Sequence, residues 1–372
     1  IHFHFMLLSV LLYVFVVFTV IQIIYYSTFF TFVFSPQKEK KKKNKFPVSV
    51  IICAKNEAEN LKSFLPSVIN QEYSDFEIVL INDSSSDETL TVMESFKKKH
   101  QNINIINVES IEAFWGNKKY ALTLGIKAAK HDHLLFTDAD CKPISKFWIS
   151  EMSQNFSDKK TIILGYGKYK REQSLVNLLV RYETLLTAIQ YFSYAKMGSP
   201  YMAVGRNLAY HRDEFFKVKG FINHIHLKSG DDDLFIRDAA EKENTTICIS
   251  ENSFTKSIAP KSLKEWFRQK RRHISTANHY KQKHKFFLGL FFTSKIFFYL
   301  LGTALLFFFS WKIMLPIILS YFMITTILIG FASKKLKEPQ IAYFLPFLEI
   351  GLILFQLSIF ISNLWSKPKY WK

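Results

Sequence analysis

A chain of 372 residues with 49% hydrophobic and only 22% charged positions is too long and too apolar for one small soluble core; it fits a soluble domain joined to membrane segments. The net charge of +18 calls for an anionic partner or surface. The lysines crowd beside apolar stretches, as in Lys38, Lys40, Lys41, Lys42, Lys43 and Lys45, which favours a membrane leaflet; no zinc-finger spacing or aromatic RNA-binding signature supports nucleic acid.

The first element in chain order, Phe3 to Phe34, contains no Asp, Glu, Lys or Arg. It exceeds the ~20 residues needed to cross a bilayer and lacks the short apolar core and cleavage site of a signal peptide. Residues 1–35 are therefore expected to be a transmembrane helix, with the lysine run after it on the cytoplasmic side. Short β-branched or apolar runs follow at Val48–Cys53, Phe76–Ile81, Ile103–Val108 and His133–Thr137. Helical stretches separate them at Glu57–Asn70, Asp87–Lys99 and Asn117–Lys130. Alternation of this kind predicts a parallel sheet with crossover helices. Near the C-terminus, apolar stretches at Leu288–Phe309, Ile313–Ala332 and Ile341–Ser362 predict about three further membrane segments within 286–372. A cytoplasmic loop between the last two fits Lys334, Lys335 and Lys337, although four spans would leave the Lys-containing tail outside. The isolated cysteines Cys53, Cys141 and Cys248 build neither a disulfide framework nor a Cys-x-x-Cys metal site, and they suit a reducing compartment.

Ligands of open parallel sheets bind outside the carboxyl ends of the strands. The first strand ends in Ala54-Lys55-Asn56-Glu57, the second in Asn82-Asp83-Ser84, and the fourth in Thr137-Asp138-Ala139-Asp140. Polar and acidic groups thus converge on one sheet edge. No Gly-rich dinucleotide fingerprint or P-loop is present. Two carboxylates at i and i+2, Asp138 and Asp140, can instead face a hard divalent cation, Mg²⁺ or Mn²⁺, which commonly bridges to substrate phosphates. The plainer role of Asn56 and Asp83 is helix capping and turn formation, which is compatible with ligand binding.

From Val48 to about His273 the chain resembles the inverting family-2 glycosyltransferases, the group that includes cellulose, chitin and hyaluronan synthases. The resemblance rests on ordered motifs: Val50 to Glu57; Val79 to Asp87, where Asn82 replaces the family's first Asp; Lys118-x-x-Ala121-Leu122; and Phe136 to Asp140. It implies nucleotide-sugar contacts from Ala54, Asn56, Glu57, Asp83, Lys118 and Asp138, with the metal at Asp140 and Asp138. Gly205 to Tyr210 is similar to the strand lining the acceptor side. Gly230-Asp231-Asp232-Asp233-Leu234 resembles the acidic motif that carries the catalytic base. Asp232 aligns best, and Asp231 and Asp233 remain alternatives; clustered carboxylates raise one pKa, which suits a base. The plainer reading is a helix start, where acidic residues are favoured anyway.

Gln269-x-x-Arg272-His273 resembles the Gln-x-x-Arg-Trp motif, with His273 in place of Trp. It implies Gln269 and Arg272 at the leaving diphosphate. The whole basic segment, 261–285, also reads as an amphipathic interfacial helix with Lys270 or Arg271 facing lipid. His224-x-His226 is poor material for a metal site. The architecture implied is α/β: a GT-A-type nucleotide-diphospho-sugar transferase domain over 36–260, with a mostly parallel, Rossmann-like sheet, plus transmembrane helices. The function implied is transfer from a nucleotide-diphospho-sugar donor to a lipid-linked or saccharide acceptor, metal-assisted, at the cytoplasmic face of the cell (inner) membrane, in contact with membrane lipids. A processive polysaccharide synthase and a non-catalytic membrane scaffold are the alternatives.

Overall fold

The computed structural model describes residues 2–34, 46–109, 118–227 and 229–366; the Lys38–Lys45 run lies outside them. After the long first helix, α1 (His2–Val33), come the four strands expected from the sequence: β1 (Val48–Ala54), β2 (Phe76–Asp83), β3 (Ile103–Val108) and β4 (His133–Phe136). They pair in parallel in the order β3-β2-β1-β4. The run Val48–Ile52 is buried throughout because parallel sheets are covered on both faces. Alternation splits the side chains. Val50, Ile52, Ile78 and Leu80 pack with Leu61 and Leu65 of α2 (Ala58–Ile69) and with Val92 and Met93 of α3 (Thr89–Lys97). Ile51, Val79 and Ile81 face Ala121, Leu122 and Ile126 of α4 (Lys118–Ala128).

Beyond β4 the chain adds β5 (Cys141–Pro143), α5 (Trp148–Ser153), β6 (Ile162–Leu164), β7 (Gly167–Tyr169) and the long α6 (Leu175–Lys196). Next come β8 (Leu208–His211), α7 (Arg212–Lys217), α8 (Asp233–Ala239), β9 (Thr245–Ile247) and β10 (Thr255–Ser257). The main sheet extends as β4-β8-β6-β9, with β8 antiparallel to both neighbours, and β5-β10-β7 form a small second sheet. Strand order therefore reverses between β1 and β4, the kind of switch point where ligands settle.

Among the described residues, four helices are long and apolar enough to cross a membrane: α1, α10 (Gln282–Leu305), α11 (Trp311–Lys335), and α12 (Leu345–Trp365) with the 3₁₀ turn before it. α1 packs against α10, α11 and α6, so the two ends of the chain form one bundle. At its centre the Glu349 carboxylate is 1% exposed. It accepts from Lys295 Nζ and Tyr26 OH at 2.8 Å, from Tyr299 OH at 2.7 Å and from Tyr321 OH at 2.9 Å. One acid thus joins all four helices, and the Tyr182 hydroxyl of α6 reaches it at 3.5 Å. Lys335 of α11 donates to the Phe32 and Val33 carbonyls, closing the C-terminus of α1.

The bundle and the sheet domain meet through α6 and α9 (Leu263–Ala277). Arg181 Nε of α6 donates to the buried Glu338 at 2.9 Å. α9 begins with Ser262, whose hydroxyl accepts from the Glu265 N–H at 3.2 Å while Glu265 accepts back from the Lys261 N–H at 2.9 Å. Trp266, fully buried, stacks on Phe355 of α12 at 3.7 Å between ring centroids. This packing gives both Lys270 and Arg271, one of which is expected from the sequence to face lipid, partners within the protein. Lys270 pairs with Glu183 of α6 at 2.6 Å, and Arg271 Nε donates to Asn363 at 2.8 Å, because α9 is held between those helices.

Removing one partner of a buried ion pair costs about 3–5 kcal/mol, whereas replacing both with apolar residues costs far less. Glu349→Leu is expected to lower the thermal midpoint of the purified protein sharply, and Glu349→Leu with Lys295→Met to recover part of it, since the Tyr26, Tyr299 and Tyr321 hydroxyls still lose their acceptor. Equal losses in both would show that the charge pair is not what holds the bundle.

Candidate active site

The carboxyl ends of β1, β2 and β4 build one wall of a cleft. Ala54 closes β1, buried, in register with Asn82. Asn56 then adopts a left-handed φ of 56°, a conformation that asparagine tolerates. Its Oδ1 accepts from the Ser86 N–H at 2.8 Å, tying the turn after β1 to the turn after β2. The Glu57 N–H donates to Thr89 Oγ1 at 2.8 Å, and Asp87 accepts from both the Thr89 and Ala58 N–H groups. These residues brace the two turns, as capping chemistry predicts. Asp83, at the end of β2, is 5% exposed. Burial raises its carboxyl above the ordinary value, and Lys55 and Lys118 pull it back.

Lys118, at the start of α4, stands at the centre. Its Nζ lies 2.9 Å from Asp138 Oδ1 and 2.9 Å from Asp231 Oδ2. Burial alone would push this ammonium down, but the two carboxylates outweigh burial and hold it well above the ordinary lysine value. The same pairing works against burial at Asp231 and leaves that carboxyl below its usual range.

The acidic motif divides by contact. Gly230, at φ 96°, makes the turn that brings the next three residues to the start of α8. Asp231 faces Lys118. Asp232 lines the cleft, its Oδ2 accepting from the Gly205 N–H at 2.8 Å and its Oδ1 from the Asp233 N–H at 2.7 Å. Burial and the flanking Asp231 and Asp233 charges push the Asp232 carboxyl up to about 8 despite those donors. Asp233 is buried and held by α9 and its extension: Thr276 Oγ1 and, at 2.8 Å, Tyr280 OH donate to its Oδ2.

The cleft is lined by Cys53, Lys118, Thr137, Asp138, Asp231 and Asp232, with apolar neighbours from β1, β4 and β8. Just outside it, Asp138, Asp140 and Cys141 place ligand atoms within 4.8 Å of one another, the one such cluster of acidic, His and Cys groups found among the described residues. The paired carboxylates are hard oxygen donors, and Asp140 is raised by burial and then by its Asp138 neighbour, a repulsion that a cation would relieve. The donor set fits Mg²⁺ or Mn²⁺ with the remaining positions left to water and phosphate. His224, by contrast, is buried beside Phe221 with its Nε2 3.7 Å from Asp238, and His226 joins no cluster.

From α9, Arg272 is half-buried; burial lowers its pKa, and the Asp231 and Asp138 charges oppose that. Gln269 presents a buried Oε1 with no hydrogen-bond partner among the described residues. His273 follows on the same helix, exposed.

Several residues of the site carry no signal in the sequence. The Gly205 N–H that holds Asp232 is a backbone group. Thr276 and Tyr280 lie outside the motif and reach Asp233 only because α9 folds back. Lys119 looks like a duplicate of Lys118, yet it points elsewhere: its Nζ donates to the carbonyls of His224 at 2.6 Å and Leu227 at 3.0 Å, bracing the segment that leads to the acidic motif. Successive helix positions face different directions, so adjacent lysines serve different neighbours.

Two family models match the chain: "Glycosyl transferase family 2" over residues 49–218 and "Glycosyl transferase family group 2" over residues 151–333. The poly-beta-1,6-N-acetyl-D-glucosamine synthase of Staphylococcus epidermidis is 36% identical over 93 residues, 25% of this chain and 21% of that protein. A dolichyl N-acetyl-alpha-D-glucosaminyl phosphate 3-beta-D-2,3-diacetamido-2,3-dideoxy-beta-D-glucuronosyltransferase of Methanococcus voltae is 30% identical over 162 residues, 41% of this chain and 49% of that protein. The aligned stretches thus span half or less of these relatives. Among solved structures, a mannosyltransferase of Pyrobaculum calidifontis in complex with GDP-Man and Mn²⁺ superposes with a TM-score of 0.63 at 14% identity, over 96% of this chain and 99% of that one. That likeness establishes the fold, a GT-A-like α/β domain with apolar helices. The ordered motifs and two overlapping family models together support a nucleotide-sugar glycosyltransferase of family 2.

Proposed function

We propose that this chain is a membrane-anchored, inverting glycosyltransferase that moves a sugar from a nucleotide-diphosphate donor to a lipid-linked or saccharide acceptor. The observation that carries the reading is the meeting of Asp138 with Asp231 and Asp232 in one cleft at the switch point of the sheet, joined through Lys118. The solved mannosyltransferase with GDP-Man and Mn²⁺ has the same fold, and both relatives named above are sugar-polymer or glycolipid enzymes by description. The four apolar helices support anchoring, and the lysine run after α1 supports a cytoplasmic catalytic domain.

In this mechanism the nucleoside lies against Ala54, Asn56, Glu57 and Asp83. Asp138 and Asp140 would hold a divalent cation, which neutralises diphosphate charge when bound. Asp232 accepts the proton of the acceptor hydroxyl as that oxygen bonds to the anomeric carbon. The bond from that carbon to the diphosphate oxygen breaks in the same displacement, and configuration inverts. Arg272 opposes the charge that develops on the leaving group. Asp231 keeps Lys118 charged, and Asp233 fixes the acidic segment to α9.

Excess chelator is expected to stop transfer, and added Mg²⁺ or Mn²⁺ to restore it. Asp140→Ala should abolish transfer in the presence of either metal; full activity of that variant would remove the metal role.

Asp232→Asn keeps size but cannot take the proton, so transfer should fall about 10²–10⁴-fold with little change in donor affinity. Asp233→Asn should instead lower the melting temperature, since hydrogen bonds to a charged group are worth about 1.5–3 kcal/mol. A Asp232→Asn enzyme that transfers at the wild-type rate would overturn the assignment.

The raised Asp232 pKa fixes a pH profile. Its folded value of about 8 stands above the ~3.9 of an unfolded Asp. Its stability contribution is therefore complete below about pH 4 and is lost as pH rises through about 8, while the competent base accumulates over the same rise. Acceptor transfer should climb with pH toward about 8 and then level, and Asp232→Asn should flatten the climb. A rate that falls across that window would contradict the base assignment.

A further inference from the structure

A second concavity lies beyond the far end of α8, about 10 Å along that seven-residue helix from Asp232 at ~1.5 Å per residue. It is a cavity of about 220 Å³, lined by Gly198–Pro200 after α6, Ala240–Glu243 after α8, and Lys281–His284 at the start of α10. That is many times the ~10–15 Å³ that a single water needs, space enough for a phosphate group.

Its chemistry is basic. Lys242, Lys281 and Lys283 are exposed around the rim, against two carboxylates, Glu241 and Glu243. α10 is 24 residues long, and its N-cap, Lys281, makes no side-chain cap hydrogen bond. The first N–H groups of such a helix lack intrahelical acceptors and add roughly half a positive charge.

An independent observation comes from His284. It is 1% exposed, and its Nε2 lies 2.9 Å from Ser199 Oγ. The rings of Tyr194 and Tyr201 pack against the imidazole and fix its orientation. Its Nδ1 is buried in the wall of the cavity with no hydrogen-bond partner among the described residues. Most buried polar groups are paired, so a ring nitrogen left without a partner beside three lysines calls for one.

We propose that this cavity binds a phosphate group supplied by the headgroup of an anionic membrane lipid. The source rests on the membrane-anchored reading: α10 begins at Gln282 and is long and apolar enough to span, so the cavity opens where that span leaves the bilayer, on the side of the sheet domain. Tyr280, one residue before Lys281, donates to Asp233 at 2.8 Å. A lipid seated there braces the α9–α10 junction that holds the acidic motif.

The test is retention of phosphatidylglycerol over phosphatidylcholine by the purified full chain in detergent, read by native mass spectrometry. Each lysine near an anionic lipid is worth about fivefold in binding, so the triple variant Lys242→Gln, Lys281→Gln, Lys283→Gln should bind phosphatidylglycerol about a hundredfold more weakly. The exposed lysine triple should do so at an unchanged melting temperature, whereas His284→Ala should lose both retention and some stability, its ring being buried against Tyr194 and Tyr201. A control triple on α3, Lys97→Gln, Lys98→Gln, Lys99→Gln, should retain the lipid. Equal loss in both triples, or retention unchanged in the first, overturns the proposal. Displacement of the lipid by glycerol phosphate supports the phosphate chemistry, whereas glycerol phosphate binding without lipid retention overturns the lipid source. A chain that stays in the aqueous phase without detergent fails the membrane reading; one that needs detergent yet shows no lysine-dependent retention fails this inference alone.

Discussion

The cleft depends on one constraint: carboxylates from two distant segments must approach each other in a half-buried space. Asp138 at the end of β4 and Asp231 before α8 would repel strongly if left alone, and Lys118 lies 2.9 Å from each. Like charges in low dielectric are tolerated only with a partner of opposite sign. This ammonium satisfies both, and it can do so because α4 starts at the sheet edge where β1 and β4 part. Lys118 keeps Asp231 charged, and burial, together with that charge and Asp233, pushes the Asp232 carboxyl up. Two adjacent aspartates are thus shifted in opposite directions.

A second constraint ties the sheet domain to the bundle. α9 carries Gln269 and Arg272 on the side of the cleft, yet it is anchored by Trp266 on Phe355 and by Arg271 on Asn363 of α12. α6 is anchored likewise, through Arg181 to Glu338 and through Tyr182 to the Glu349 cluster. The basic helix α9 is thus positioned by helices of the bundle rather than by the sheet.

Much of this was legible in the sequence because it rests on local pattern. Buried parallel strands need continuous apolar runs, and β1 to β4 appear within a residue or two of Val48–Cys53, Phe76–Ile81, Ile103–Val108 and His133–Thr137. Spanning helices need long stretches without charge, and four exist. α6 escaped because its sequence is neither evenly apolar nor cleanly amphipathic: it is packed on both sides, and Arg181 and Glu183 find buried partners. The start of α10 at Gln282, ahead of the apolar run from Leu288, escaped for the same kind of reason, since lysines and a histidine are carried there by neighbours rather than by lipid.

The sequence by itself determined which residue types gather at the strand ends, since a motif is a matter of order along the chain. It could not apportion roles within Asp231, Asp232 and Asp233, because three adjacent carboxylates are equivalent until their surroundings differ. Tertiary structure decided that division by bringing a lysine to the first, a backbone N–H from Gly205 to the second, and Thr276 and Tyr280 to the third. It likewise gave the neighbouring Lys118 and Lys119 separate tasks, and gave Lys270 and Arg271 partners within the protein. The physical reason is the same in each case: the energy of a charge depends on what stands within a few ångströms of it, and those neighbours come from parts of the chain that only folding brings together.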